Sequence, residues 1–268
     1  MKGEANPRID ALTSLRFFAA AMIVVLHLEK NFGIQKNPVP FLSLEQGVGF
    51  FFVLSGFILY YNYSRIEGGD ERRRFWLARF ARVWPVHVTT FLLTFLLVPF
   101  DEIFLFGGAA FEKLRIGLLN LGLLHSLTLN PTHHTSINSP LWSISTEAIF
   151  YLLFPFLAVD FARRWKFQII LSFAMIWSGS WLLAACGVAH YPGPGYDGVT
   201  IHSYINTHPL SRAFEFILGM TACHFFLLRR SEARAPGARA TLIEVFWLLA
   251  SLLASSGPAR GHSGDVID

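Results

Sequence analysis

Three ionisable residues interrupt apolar stretches of this sequence. Arg16 and His27 stand with ten residues between them in LRFFAAAMIVVLHLEK, residues 15–30. Glu147 stands in NSPLWSISTEAIFYLLFP, residues 138–155. Charge inside a membrane span is costly, so such residues face protein or a cavity and are candidates for function. On a helix, eleven steps turn about 1100° and rise roughly 16.5 Å, which places Arg16 and His27 on one face. A guanidinium anchors an anion. An imidazole moves protons near neutral pH, and a carboxylate that orients it raises its basicity, making a general base. Each residue also has a plainer reading. Arg16 snorkels to headgroups, His27 bonds a backbone carbonyl, and Glu147 bonds a hydroxyl such as Ser143 or Tyr151, one turn away on either side.

The elements that carry these groups are membrane helices. Hydrophobic residues make up 53% of the 268 and charged residues 15%, against about 25% charged in soluble domains. The fold class expected is all-α, a polytopic transmembrane bundle of about six to eight helices. The apolar stretches run at about 12–30, 44–63, 84–100, 141–160, 167–187 and 212–228, with a shorter one near 241–256 that carries Glu244. Basic residues fall in three clusters, within 64–83, at RRWK 163–166 and at RRSEARAPGAR 229–239. The positive-inside rule puts all three in the cytoplasm, with the N-terminus. That requires 114–129, which contains Asn120 and His125, to lie at the interface or re-enter rather than cross. Localisation in the inner (plasma) membrane, multi-pass, follows. Net charge is +4 and the arginines are clustered, a pattern of membrane loops rather than of nucleic-acid binding. Cys186 and Cys223 make neither a disulfide framework nor a metal cluster. His133 and His134 in NPTHHT read as outer-loop residues with no carboxylate or cysteine nearby in sequence to complete a metal site. Ser55 in LSGF lacks a nucleophile-elbow context and reads, with Gly56, as a close-packing point between helices. The Gly- and Pro-rich stretch 188–211 reads as an outer connector or an acceptor-binding loop.

Five segments in order resemble the acyltransferase 3 family of membrane acyltransferases. They are the R-x10-H spacing of Arg16 and His27; GVGFFFVLSGFIL at 47–59, with Phe51, Phe52, Ser55, Gly56 and Phe57; RRRFWLARFARVWP at 72–85; the Glu147 segment; and RAFEFILGM at 212–220, with Arg212, Glu215 and Gly219. The resemblance implies transfer of an acyl group, often acetyl, from a cytoplasmic acyl-CoA co-substrate to a hydroxyl of an extracytoplasmic glycan or small molecule, with no permanently bound cofactor. It implies His27 as the catalytic histidine and Arg16 as its essential partner. Glu147 then orients His27. Arg16, Arg73, Arg74, Arg79 and Arg82 are the expected partners of the donor's phosphates. Position 49, often acidic in relatives, is Gly here. The expected organisation is a membrane domain over 8–228, a basic loop and last apolar segment over 229–256, and a polar, disordered tail over 257–268. Relatives usually continue through further helices, so a shortened chain or an inactive remnant of such an enzyme is one alternative. A proton-coupled membrane transporter using the same charges is another, although no duplicated halves are visible.

Overall fold

The computed structural model describes residues 9–32, 44–99, 103, 110–191 and 198–232. They form helices joined by turns, with no strand among the described residues. In chain order the helices are α1 (Asp10–Phe32), α2 (Gln46–Tyr63), α3 (Gly68–Leu97), α4 (Ala110–Leu121), α5 (Pro131–Thr135), α6 (Trp142–Leu157), α7 (Phe161–Ala185), α8 (Ile201–Thr207) and α9 (Pro209–Glu232). Single 3-10 turns at His125–Leu127 and Ser139–Leu141 complete the path. The apolar stretch near 241–256 and the polar tail lie outside the described residues.

Among the described residues, five segments are long and apolar enough to cross a membrane: 11–28, 68–97, 139–157, 161–185 and 201–230. The stretch expected at 44–63 is the innermost helix, α2, with eleven of its 18 residues buried. Its last turn carries Tyr60, Tyr61, Asn62 and Tyr63, which lowers its apolar character. Enclosure by protein replaces contact with lipid for this helix.

The reading of 64–83 as a loop is corrected. The helix begins at Gly68, so Arg72, Arg73, Arg74, Arg79 and Arg82 ride on α3 rather than on a flexible connector. Local chemistry explains this. Arg, Leu, Ala and Glu are strong helix formers, and Asp70 and Glu71 in the first turn complement the helix dipole. With 30 residues, α3 is about 45 Å long, more than the roughly 30 Å hydrocarbon layer.

By contrast, α4 has 12 residues and is about 18 Å long, too short to cross. The segment 114–129 ends in the 3-10 turn and does not cross as one helix.

The core is aromatic. Phe52 of α2 meets Phe150 of α6 edge to face at 5.4 Å, and Phe150 stacks on Phe216 of α9 at 4.7 Å. Where α2 crosses α9, glycine lets backbone touch backbone. A Cβ on Gly56 would fall onto the Phe216 carbonyl, and one on Gly219 onto the Val53 carbonyl. Such small-residue crossings are how membrane helices approach closely.

The ends of the bundle are chemically unlike. Arg230 of α9 donates to the Tyr61 hydroxyl of α2 at 2.8 Å. The turn at Ser64–Glu67, the turn around Asp160 and Leu227 of α9 line one cleft. The described parts of the three basic clusters therefore gather at a single end. At the other end, residues 121–138 and α8 form a cap in which His125 and His134 are buried. Burial pushes His125 down to about 4 and His134 to about 3. Both lie below the ordinary value of about 6.5 for an unfolded chain, so the cap is stabilised by neutral imidazoles. That stability is complete above about pH 6.5 and declines as pH falls below it, because the unfolded cap then binds more protons. Hydrogen exchange across 121–138 should be markedly faster at pH 5 than at pH 7.5, after correction for intrinsic rates. Equal protection at the two pH values would refute the assignment.

Candidate active site

Glu147 lies in the second turn of α6 and faces α2. Its Oε1 accepts from the Ser55 hydroxyl at 2.9 Å and from the Tyr151 hydroxyl at 2.5 Å. Tyr151 is one turn on along α6, and Trp76 of α3 donates its indole N–H to the Tyr151 carbonyl at 3.2 Å. Arg79, also from α3, lies with its guanidinium over the rings of Tyr63, Phe75 and Tyr151, and its Nη2 donates to the Tyr63 hydroxyl at 3.0 Å. Arg16 of α1 is within electrostatic reach of Glu147, Tyr151 and Arg82. Four helices thus converge a carboxylate, two hydroxyls and two guanidiniums in the bundle.

The structure brings Arg16 to Glu147 and does not bring His27 there. The reason is the register of α1 on α2. Leu12 and Leu15 pack with Phe50, Phe51 and Leu54, and a Cβ on Gly47 would lie 3.0 Å from the Ala19 carbonyl oxygen. The two helices are therefore antiparallel, with Ala19 level with the first turn of α2. His27 is eight residues beyond Ala19, about 12 Å toward the C-terminal end of α1. Ser55 is eight residues beyond Gly47, about 12 Å the other way. Glu147 and His27 end roughly 18–24 Å apart along the helix axes, and the bonds that Glu147 makes are those to Ser55 and Tyr151. His27 is half-buried near the C-terminal end of α1.

The arginines of α3 divide. Arg79 joins the Glu147 centre and Arg82 neighbours Arg16. Arg73 and Arg74 are exposed at the arginine-bearing end, outside the centre.

Two features escaped the sequence. Ser55, read as a packing residue, is hydrogen-bonded to the key carboxylate. Adjacent helix positions point about 100° apart, so Gly56 serves the α9 contact while Ser55 serves α6. Arg212 and Glu215 form a half-buried ion pair at 2.6 Å, with the guanidinium over Trp142 and its Nε donating to the Asn206 carbonyl. Their i, i+3 spacing was the available signal. Gly49 borders this pair, its Cβ position 3.4 Å from Glu215 Oε1, so the carboxylate there comes from α9. In the cap, His133 Nε2 lies 2.8 Å from Glu112 Oε1, which also accepts from Arg115. The statement that no carboxylate lies near NPTHHT holds in sequence only. The turn before α5 returns the chain to α4, which supplies Glu112.

Comparison with known proteins decides the family. Residues 9–263 match the profile of the acyltransferase domain of the acyltransferase 3 type. The chain belongs to the acyltransferase 3 family. A curated relative, acyltransferase MdmB of Streptomyces mycarofaciens, is 30% identical over 245 residues, covering 86% of this chain and 60% of that protein. Protein 2 in the picA locus of Rhizobium radiobacter is 34% identical over 157 residues, covering 53% of this chain and 78% of that protein. The chain therefore spans 60% of the length of the first of these relatives. No solved structure matches it. Family membership accounts for an apolar helical bundle with polar groups turned inward. The family's reaction class, acyl transfer, is one that a half-buried carboxylate with hydroxyls and cations is equipped to perform.

Proposed function

We propose that this chain carries the membrane domain of an enzyme that moves an acyl group from acyl-CoA, entering at the arginine-bearing cytoplasmic end, to a hydroxyl of a glycan or small molecule at the opposite side. The N-terminus is cytoplasmic in this reading, in the inner (plasma) membrane. The observation that carries it is the Glu147 centre: one carboxylate oxygen shared by Ser55 and Tyr151, with Arg16 in electrostatic reach. Such a carboxylate takes the proton of an attacking hydroxyl, and the guanidiniums offset negative charge developing on the thioester oxygen. The cleft lined by Tyr60, Ser64, Arg65, Glu67, Pro155 and Phe161 supports donor entry there. It has a volume of about 550 Å³. Arg73 and Arg74, exposed on the same side, are placed to meet the donor's phosphates from solvent.

A second reading rests on the R-x10-H spacing. There His27 is the general base on an acceptor that stays near the outer end of α1, and Arg16 anchors the donor below. Membranes bearing the protein, given radiolabelled acetyl-CoA and an envelope glycan fraction, test both. The Glu147-centred reading expects His27→Ala to retain measurable transfer, with a change mainly in the acceptor's KM. Loss of turnover beyond about 100-fold in His27→Ala, with donor binding intact, makes His27 the base instead. Absence of labelled acceptor from the unmodified protein would refute acyl transfer by this chain.

A further inference from the structure

We propose that the Arg212–Glu215 pair, left open by Gly49, holds the hydroxyl-bearing acceptor and selects a neutral sugar unit; this rests on the acyl-transfer reading above and is independent of which group acts as the base.

Three helices begin together at this point. Gly49 is in the first turn of α2, Trp142 opens α6, and Arg212 is in the first turn of α9. Farther along, α2 and α9 meet again through the Arg230–Tyr61 bond at the arginine-bearing end. The pair therefore stands at the opposite end, where the acceptor arrives.

Arg212 is fixed by three contacts. Its Nε donates to the Asn206 carbonyl at 2.8 Å, its Nη1 donates to Glu215 Oε1 at 2.6 Å, and its guanidinium lies 5.8 Å from the centre of the Trp142 ring. Trp142 packs in turn against Phe52, edge to face at 6.3 Å. A group held in place before binding loses little freedom when a ligand arrives. Glu215 is less satisfied. Its Oε1 takes the Arg212 bond, while its Oε2 is buried with no hydrogen-bond partner among the described residues. A buried carboxylate oxygen without a donor is costly. The terminal torsion of a Glu side chain is soft, so a small rotation offers this oxygen to an entering hydroxyl. Both side chains are 16% exposed, which leaves the pair largely desolvated and still within reach of a ligand.

Charge decides what binds. Guanidinium and carboxylate cancel, so an anionic ligand is opposed by Glu215 and a cationic one by Arg212. Neighbouring neutral hydroxyls are opposed by neither: one donates to the carboxylate and the next accepts from the guanidinium. Gly49 keeps the approach clear. A Cβ there would lie 3.4 Å from Glu215 Oε1 and 3.9 Å from Arg212 Nη1, so a longer side chain extends across the pair.

The level also fits. Gly49 is six residues from Ser55, the partner of Glu147, or about 9 Å along α2. In the other direction, the Cβ position of Gly47 meets Ala19 and Ile23 of α1. That puts His27 about 9–15 Å from Gly49 along the axes. A sugar held at the pair thus stands between the two groups able to take a proton from its hydroxyl.

The test separates acceptor from donor. Membranes bearing the full chain are given radiolabelled acetyl-CoA and an envelope glycan fraction, and initial rates are measured against the concentration of each. Purified protein is melted in detergent with and without the glycan fraction. Glu215→Gln and Arg212→Lys should raise the KM for glycan at least 10-fold, with the KM for acetyl-CoA within two-fold of the parent. Gly49→Leu should do the same by covering the pair, and Gly49→Ala should have a smaller effect than Gly49→Leu. The glycan fraction should raise the melting temperature of the parent and not that of Glu215→Gln. An unchanged KM for glycan in Glu215→Gln and Gly49→Leu, or a KM for acetyl-CoA that rises in step with it, overturns the proposal and leaves the acyltransferase reading standing. Stabilisation by glycan that is lost in Glu215→Gln, without any transfer by the parent, supports the site and overturns acyl transfer by this chain. Neither transfer nor stabilisation in the parent overturns both.

Discussion

Glu147→Gln lowers acyl transfer at least 100-fold without unfolding the protein. Glutamine keeps the length and shape of the side chain, and its carbonyl oxygen still accepts from Ser55 and Tyr151, whose bonds in the parent are 2.9 and 2.5 Å. What it cannot do is take a proton. General-base contributions are typically about 10²–10⁴-fold, and the loss should fall in that interval. The substitution also removes the negative charge that faces Arg16, so the guanidinium loses a counter-charge. The measurement is turnover with radiolabelled acetyl-CoA, beside a thermal melt of the same preparation. Activity within a few-fold of the parent, with an unchanged melt, would make Glu147 a structural carboxylate and dissolve the candidate site. A fall in both would mean that its charge holds the bundle together, and Glu147→Asp then separates the roles by restoring charge at a shifted position.

Gly219→Ala destabilises the bundle more than any other single methyl that glycine substitution can add on α2, α4 or α9, with the same substitution at Gly56 as its counterpart. The added Cβ at Gly219 would fall onto the Val53 carbonyl oxygen, and at Gly56 onto that of Phe216. Both obstacles are backbone, so no rotamer change relieves them. The helices must move apart, and α6 bridges them, through the Phe150–Phe216 stack to α9 and the Ser55–Glu147 bond to α2, so both contacts are strained as the seam opens. Overpacking of a tight core costs about 1–3 kcal/mol and sometimes more. These positions should sit at the top of that scale, with lost monodispersity in detergent and a clearly lower melting temperature. Gly117→Ala in α4 is the control, because nothing lies within 4 Å of its Cβ position. There the better helix former should hold or slightly raise stability, by up to about 1 kcal/mol. Equal melts for the Gly219 and Gly117 variants would show that α2 and α9 are not in backbone contact.

The sequence by itself determined the class of fold and the direction in which to look. Apolar runs broken by arginine clusters specify membrane helices and place the clusters on one side, because burial in lipid and charge at the headgroups act on each segment independently of the others. Arg16 and Glu147 were marked for the same reason: an ion within a span is costly wherever the helix packs. The family was legible in five short segments. The start of α3 was misread as a loop because six arginines lie within 64–83. Charge density says where a segment stands relative to the membrane and nothing against its being helical.

Only the tertiary structure decided which groups meet. Helical periodicity gives the face a residue occupies, and it put Arg16 and His27 on one face. It does not give the height of one helix against another. That height is fixed by Gly47 against Ala19, and by Gly56 and Gly219 between α2 and α9. A shift of two turns along α1 exchanges Arg16 for a residue nearer His27, and no local feature of residues 10–32 opposes such a shift. Packing at the glycines does oppose it, and so Glu147 finds Ser55, Tyr151 and Arg16 while His27 lies roughly 18–24 Å away along the axes. The role of Ser55 was hidden for the same physical reason: its partner is 92 residues away in sequence, and only the crossing of α2 with α6 makes the two neighbours.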